Sequence, residues 1–184
     1  MSNASTILSA LDKHLRRRTP LILYGRAALV LGFADSPSDA SLSVDVDVIL
    51  TAEQSAILDE DEDFWTALEA TNSELAPLGL YVTHLFEESQ VALRPDWKQH
   101  LVPIGMPEFK WLDLSRPHAL DLLLTKMMRG ADPQDMMDAN FIIKSQSLKK
   151  AAIENAIAVA RVPDIEEIRD AFRSAIPKVL AMVD

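Results

Sequence analysis

The chain has 184 residues, enough for one domain with a real core, or one domain with a helical extension. Its 48% hydrophobic and 25% charged residues exclude a disordered chain. A net charge of −10 argues against coating duplex DNA, and the absence of cysteine excludes disulfides and thiolate metal sites.

Ser5–Arg18 predicts a first helix, with Ile7, Leu8, Leu11 and Leu15 on one face. Lys13, Arg16, Arg17 and Arg18 crowd its end, where cations complement the helix dipole. Leu21–Tyr24 is a short apolar run ending at Gly25, which predicts a buried strand, a tight turn and a helix over Ala27–Phe33. The stretch from Asp35 to Ser41 reads as a loop. Over Ser43–Leu50 the pattern alternates, with Val44, Val46 and Val48 on one face and Asp45 and Asp47 on the other.

Thr51–Leu78 carries a helical pattern that stops at Pro77–Leu78–Gly79. Within it, the run Asp59–Glu60–Asp61–Glu62–Asp63 reads as a solvated helix start. Leu80–Phe86 predicts a third strand, and shorter strands are expected near Val91–Leu93, His100–Ile104 and Phe109–Leu112. Four helices should follow, over 116–129, 133–145, 148–161 and 164–182, the last interrupted at Pro177. Ser115 is the expected cap of the first of these and Asp132 of the second. Strands first and helices last is an α+β order. The expected division is a sheet core over 1–114 and a helical extension over 115–184, packed as one compact unit.

The chemistry concentrates in Leu21–Leu50. Asp45 and Asp47 lie two apart on a strand, so both side chains share a face. Adjacent carboxylates repel unless a cation lies between them. Magnesium takes oxygen ligands and is often held by one or two carboxylates plus substrate phosphates. An isolated Asp-x-Asp also fits the wet face of an ordinary strand, although Asp is depleted in strands. Upstream, a strand ending in Gly25 feeds directly into a helix. That turn brings backbone N–H groups toward a phosphate, and Arg26 adds a cation.

A second constellation lies on the first C-terminal helix. His118, Asp121, Thr125 and Arg129 form a polar arc, while Lys126 falls inside the apolar arc. Lys126 reads either as an inward lysine that needs an anionic partner or as one that snorkels at the edge of the stripe. Asp135 likewise sits within the apolar stripe of the following helix. Lys126 or Arg129 can reach it across a hairpin at Gly130–Ala131, either as a structural pair or as a device that orients Lys126. The histidines show no metal spacing; His84 stands out only by its place on the strand beside the carboxylates.

Strand, glycine turn, helix and Asp-x-Asp strand together resemble the core signature of the nucleotidyltransferase superfamily. The likeness is to a bacterial branch similar to the nucleotidyltransferase toxins of abortive-infection systems. Gly25, Ala28, Leu29, Ser43, Asp45 and Asp47 match its pattern, and Lys126, Arg129 and Asp135 look like its later elements. The resemblance spans about residues 20–145. It implies a small mixed sheet flanked by helices, with a C-terminal helical segment. It also implies transfer of a nucleotidyl group from a nucleoside triphosphate to an acceptor, which is a protein, an RNA or a small molecule. Asp45 and Asp47 would hold Mg2+ or Mn2+ and, with Lys126, act in catalysis; Gly25, Arg26, Ser43 and Arg129 would bind the nucleotide.

The sequence departs from the pattern in three places. Arg26 replaces a second small residue, the spacing from Gly25 to Asp45 is long, and Leu80–Phe86 offers Thr83 and His84 but no third acid. The alternative expectation is therefore an inactive binding protein of the same fold, in a toxin–antitoxin or regulatory pair. With no apolar run near ~18 residues and no secretory apolar region at the start, a cytoplasmic protein without a membrane partner is expected.

Overall fold

The computed structural model describes residues 2–130 and 132–183, with the side chains of Thr83 and His84 outside the description. The protein is α+β, and it divides into two compact units. Residues 1–87 and 102–116 form the first; residues 88–101 and 117–184 form the second. The division falls two residues after the one read at 114, and the stretch 88–101 goes with the helices. No helix among the described residues is long and apolar enough to cross a membrane.

The first unit runs α1 (Asn3–His14), β1 (Thr19–Tyr24), α2 (Gly25–Gly32), β2 (Asp45–Leu50), α3 (Ala52–Asp59), α4 (Glu62–Leu75), β3 (Tyr81–Glu87), β4 (Val102–Ile104) and β5 (Leu112–Arg116). The strands form one mixed sheet in the order β3-β2-β1-β5-β4. β1 is antiparallel to β2 and parallel to β5, β2 is parallel to β3, and β4 is antiparallel to β5. The three strands expected from Leu21–Tyr24, Ser43–Leu50 and Leu80–Phe86 are thus neighbours in one sheet. Their apolar side chains build the core: Leu21, Ile22 and Leu23 on β1 and Val46, Val48 and Ile49 on β2 are all buried. Val44 lies before β2 begins and is 46% exposed, so the inward face starts one valine later than the alternation predicts.

Several boundaries move because distant groups intervene. α1 stops at His14, where Leu15 turns extended, so Arg16–Arg18 lie beyond the helix. Two of them form ion pairs instead of serving its dipole, Arg17 with Asp61 and Arg18 with Asp113, while Lys13 reaches Glu74. The expected long helix over 51–78 breaks in two at Glu60–Asp61. Asp61 is buried, accepts the backbone N–H of Phe64 and pairs with Arg17, so it starts α4 as a cap. It is not part of a solvated run. Thr51 and Gln54 start α3 with a reciprocal capping box.

The strand expected over Phe109–Leu112 begins only at Leu112. Asp12 of α1 accepts the backbone N–H groups of Lys110, Trp111 and Leu112, at 3.0, 2.7 and 2.8 Å, and this fixes the entry of β5. β5 then continues through Ser115, which pairs with Ile22 and so caps no helix.

The second unit holds α5 (Ala119–Lys126), α6 (Pro133–Ser145), α7 (Lys150–Val159) and α8 (Glu166–Leu180). His118 caps α5, accepting the N–H of Leu120 on Nδ1, and Asp132 caps α6 as expected. Val91–Leu93 makes no strand; Leu93 forms an isolated bridge with Arg161. α8 continues past Pro177 to Leu180. Proline removes one intrahelical hydrogen bond, but burial of Phe172, Ala175 and Val179 along one face holds the helix in place. Between α5 and α6 the chain passes Gly130 at φ +69°. A Cβ there would lie 3.0 Å from Ser174 Oγ and 3.3 Å from the Ala171 carbonyl oxygen, so α8 packs directly on this turn.

Candidate functional site

β1 delivers the chain to Gly25, which adopts φ +62° and opens α2. That conformation disfavours any residue with a Cβ. The neighbourhood adds a second reason for glycine, since a Cβ at residue 25 would stand 3.3 Å from Asp47 Oδ2. The antiparallel pairing of Tyr24 with Asp47 produces this approach. A carboxylate therefore lies against the glycine turn and the N-terminus of α2. The residue that caps α2, Tyr24, makes no side-chain capping bond, and the first-turn N–H groups of a helix lack intrahelical acceptors.

Asp45 and Asp47 are both half-buried, while Val46 and Val48 between and beyond them are fully buried. The two carboxylates thus share the open face of a strand whose other face is locked into the core. Ser43 Oγ donates to Asp45 Oδ1 at 2.8 Å, which orients that carboxylate. Arg26, the first side chain after the turn, forms an ion pair with Asp39 on the short 3₁₀ turn Ser38–Leu42. Gly25, Arg26, Ser43, Asp45 and Asp47 all belong to the first unit.

The β2–β3 register is irregular at this point. Val46 pairs with Val82 but Val48 pairs with Leu85, so Asp47 opposes the two-residue backbone Thr83–His84. Such irregularities re-aim side chains and cluster near functional sites. The expectation attached to His84 concerns a side chain outside the described residues. Among the described residues no cluster of three or more His, Cys, Asp or Glu is placed to hold a metal. The protein offers a hard cation two same-face carboxylates. That suits the share a protein contributes when water and substrate phosphate fill the remaining positions.

Lys126 and Arg129 belong to the second unit. Lys126 is 7% exposed, and its Nζ donates to Asp135 Oδ1 at 3.1 Å and to Asp138 Oδ2 at 2.7 Å. Arg129 reaches Asp135 through Nε at 2.5 Å and Asp132 through Nη2 at 3.3 Å. Gln134 donates to the other oxygen of Asp138 at 3.2 Å. The hydrogen bond to Asp135 raises the pKa of Arg129, and the N–H of Asp135 holds Asp132 below the usual carboxylate range. The lysine is inward and paired rather than snorkelling.

Two members of these networks escape sequence reasoning. Asp138 is three residues from Asp135 on the same helix face, a signal that was legible. Asp121, placed by the helical wheel on a polar arc, is fully buried. It accepts the N–H of Arg94 and a fork from its Nε and Nη2, at 3.0, 3.1 and 2.7 Å. No local pattern links residues 94 and 121. No protein-family model matches this chain, and no curated protein or solved structure matches it.

Proposed function

We propose that the protein is a metal-dependent nucleotidyltransferase that transfers a nucleoside monophosphate from a nucleoside triphosphate to a protein, RNA or small-molecule acceptor. The observation that carries the reading is the approach of the Gly25 turn to Asp47, with Asp45 beside it on the same face. It sets the N-terminus of α2 next to a carboxylate pair, and a triphosphate bound with a divalent cation needs both kinds of group.

In this reading Asp45 and Asp47 hold Mg2+ or Mn2+, which when bound supplies charge neutralisation at the phosphates. Ser43 keeps Asp45 oriented. The Gly25 turn and Arg26 bind phosphate oxygens, Arg26 in exchange for Asp39. The acceptor oxygen forms a bond to the α-phosphorus as the bond to the β-phosphate oxygen breaks; pyrophosphate leaves and the acceptor's proton passes to solvent. The cationic support expected of Lys126 and Arg129 is not part of this reading, because both lie in the second unit, held by Asp132, Asp135 and Asp138.

The test is transfer of label from α-32P nucleoside triphosphates, each of the four in turn, with magnesium and a cell extract as acceptor source. Label carried to a macromolecule or small product, lost in Asp45→Asn/Asp47→Asn, supports the reading. A second reading, binding without transfer as one half of a toxin–antitoxin or regulatory pair, draws on the residues opposite Asp47. They are Thr83 and His84, neither an acid. Magnesium-dependent triphosphate binding without any labelled product would favour it.

A further inference from the structure

In the second unit, Leu93 and Arg161 exchange two backbone hydrogen bonds, Leu93 N–H to the Arg161 carbonyl at 3.3 Å and Arg161 N–H to the Leu93 carbonyl at 2.8 Å. This isolated bridge ties the segment before α5 to the residues after α7. Between them lies a cleft of about 320 Å³. Arg94, Lys98 and Arg161 line it together with the carboxylate of Glu88, and Val91, Leu93 and Trp97 give it apolar walls.

Each cation is held differently. Arg94 is fixed by Asp121 through Nε and Nη2, which leaves Nη1 outside that fork. Lys98 Nζ donates to Glu88 Oε1 at 3.0 Å, and the other oxygen of Glu88 accepts Trp97 Nε1–H at 3.1 Å. Arg161 is exposed, and its side chain makes no hydrogen bond or ion pair with any described residue. Asp121 and, at longer range, Asp96 therefore balance Arg94 and Glu88 balances Lys98, while the guanidinium of Arg161 has no ion-pair partner among the described residues.

We propose that this cleft binds a small phosphate monoester. The three non-bridging oxygens of a phosphate monoester match three cationic donors, and charge-assisted bonds of this kind are the strong ones. A carboxylate would leave one donor unused. The cleft is larger than a phosphate alone requires, and its apolar walls suit a compact organic group beyond the ester oxygen. The ligand is a small molecule because the cationic side chains converge on one cavity and do not form the extended basic surface that tracks a nucleic-acid backbone. The site lies wholly within the second unit and owes nothing to the Asp45–Asp47 reading.

The experiment titrates ribose 5-phosphate, inorganic phosphate and ribose into the full chain in the presence of EDTA. It reads affinity by calorimetry and the Trp97 indole N–H by NMR. The expected result is saturable binding of ribose 5-phosphate that shifts the Trp97 signal, weaker binding of inorganic phosphate and none of ribose. Arg161→Ala, which removes no side-chain hydrogen bond or ion pair, should weaken ribose 5-phosphate by about tenfold, and Lys98→Ala should also weaken it. Asp45→Asn/Asp47→Asn should bind as the wild type does. Absence of binding, equal affinity for inorganic phosphate, an unchanged affinity in Arg161→Ala, or loss in the double Asn variant each overturns the proposal.

Discussion

In the first unit, Asp45 and Asp47 share one face of β2 and stay partly open to solvent, one oriented by Ser43 and the other set against the Gly25 turn. In the second, Asp135 and Asp138 share one face of α6, buried, with Lys126 and Arg129 drawn onto them. Both are carboxylate pairs on a regular element, and the difference lies in what neutralises them. Buried carboxylates must bring their counter-charge with them, because an unpaired charge in the interior is prohibitively costly. A pair left half-open can leave that task to a ligand. Internal balance marks the α5–α6 pair as part of the fold; the half-open β2 pair is the one on which the proposed binding role rests.

Substitutions should break this contrast in a definite order. Lys126→Met takes the buried cation from Asp135 and Asp138, of which Asp135 keeps Arg129, and should lower stability by about 3 kcal/mol, more than removal of Asp138, which leaves Lys126 on Asp135; thermal melting measures both. A loss below about 1 kcal/mol would mean that the α5–α6 pair is not internally balanced as described. Asp12→Ala comes next, since three backbone N–H groups lose one acceptor. A cost of about 2–3 kcal/mol is expected from denaturant unfolding, and a neutral result would remove Asp12 as the anchor of β5.

Gly25→Ala should cost about 1–2 kcal/mol, because residue 25 holds a left-handed conformation. Its larger effect should fall on the site, where the new methyl group meets Asp47. Unchanged metal or nucleotide affinity in this variant would detach the turn from the carboxylates.

The smallest effect belongs to Glu74, an exposed group whose carboxyl is held below its ordinary range by hydrogen bonds from Lys13 and then His14. A lowered carboxylate pKa contributes stability above the ordinary value, and that contribution is lost as pH falls through the lowered one. Glu74→Gln should thus flatten the pH dependence of melting slightly on the acid side and leave it unchanged near neutrality. A change confined to neutral pH would contradict the assignment.

Legibility followed the range of the interactions. The central strands, the glycine turn and the Asp-x-Asp face were readable because alternation and turn chemistry act over a few residues. The inward Lys126 and its partner Asp135 were readable because a hairpin brings them together across nine positions. What was not readable was set by groups far away in sequence. Arg17 and Asp61 split the long helix, Asp12 fixes where β5 begins, and Arg94 turns Asp121 from a surface residue into a buried one. Ser115 has the chemistry of a helix cap, but the sheet claimed its backbone first.

The proposal that the half-open carboxylates of β2 bind a metal-nucleotide is tested most directly by calorimetry of a non-hydrolysable nucleoside triphosphate, with and without magnesium. Wild type and Asp45→Asn/Asp47→Asn are compared, and a melting curve is recorded for each. The account predicts magnesium-dependent binding in the wild type and its loss in the double variant. It also predicts a melting temperature that is unchanged or raised, since the substitution keeps volume and removes two adjacent like charges. Binding that survives in the double variant, or a variant that unfolds as readily as Lys126→Met is expected to, would contradict it.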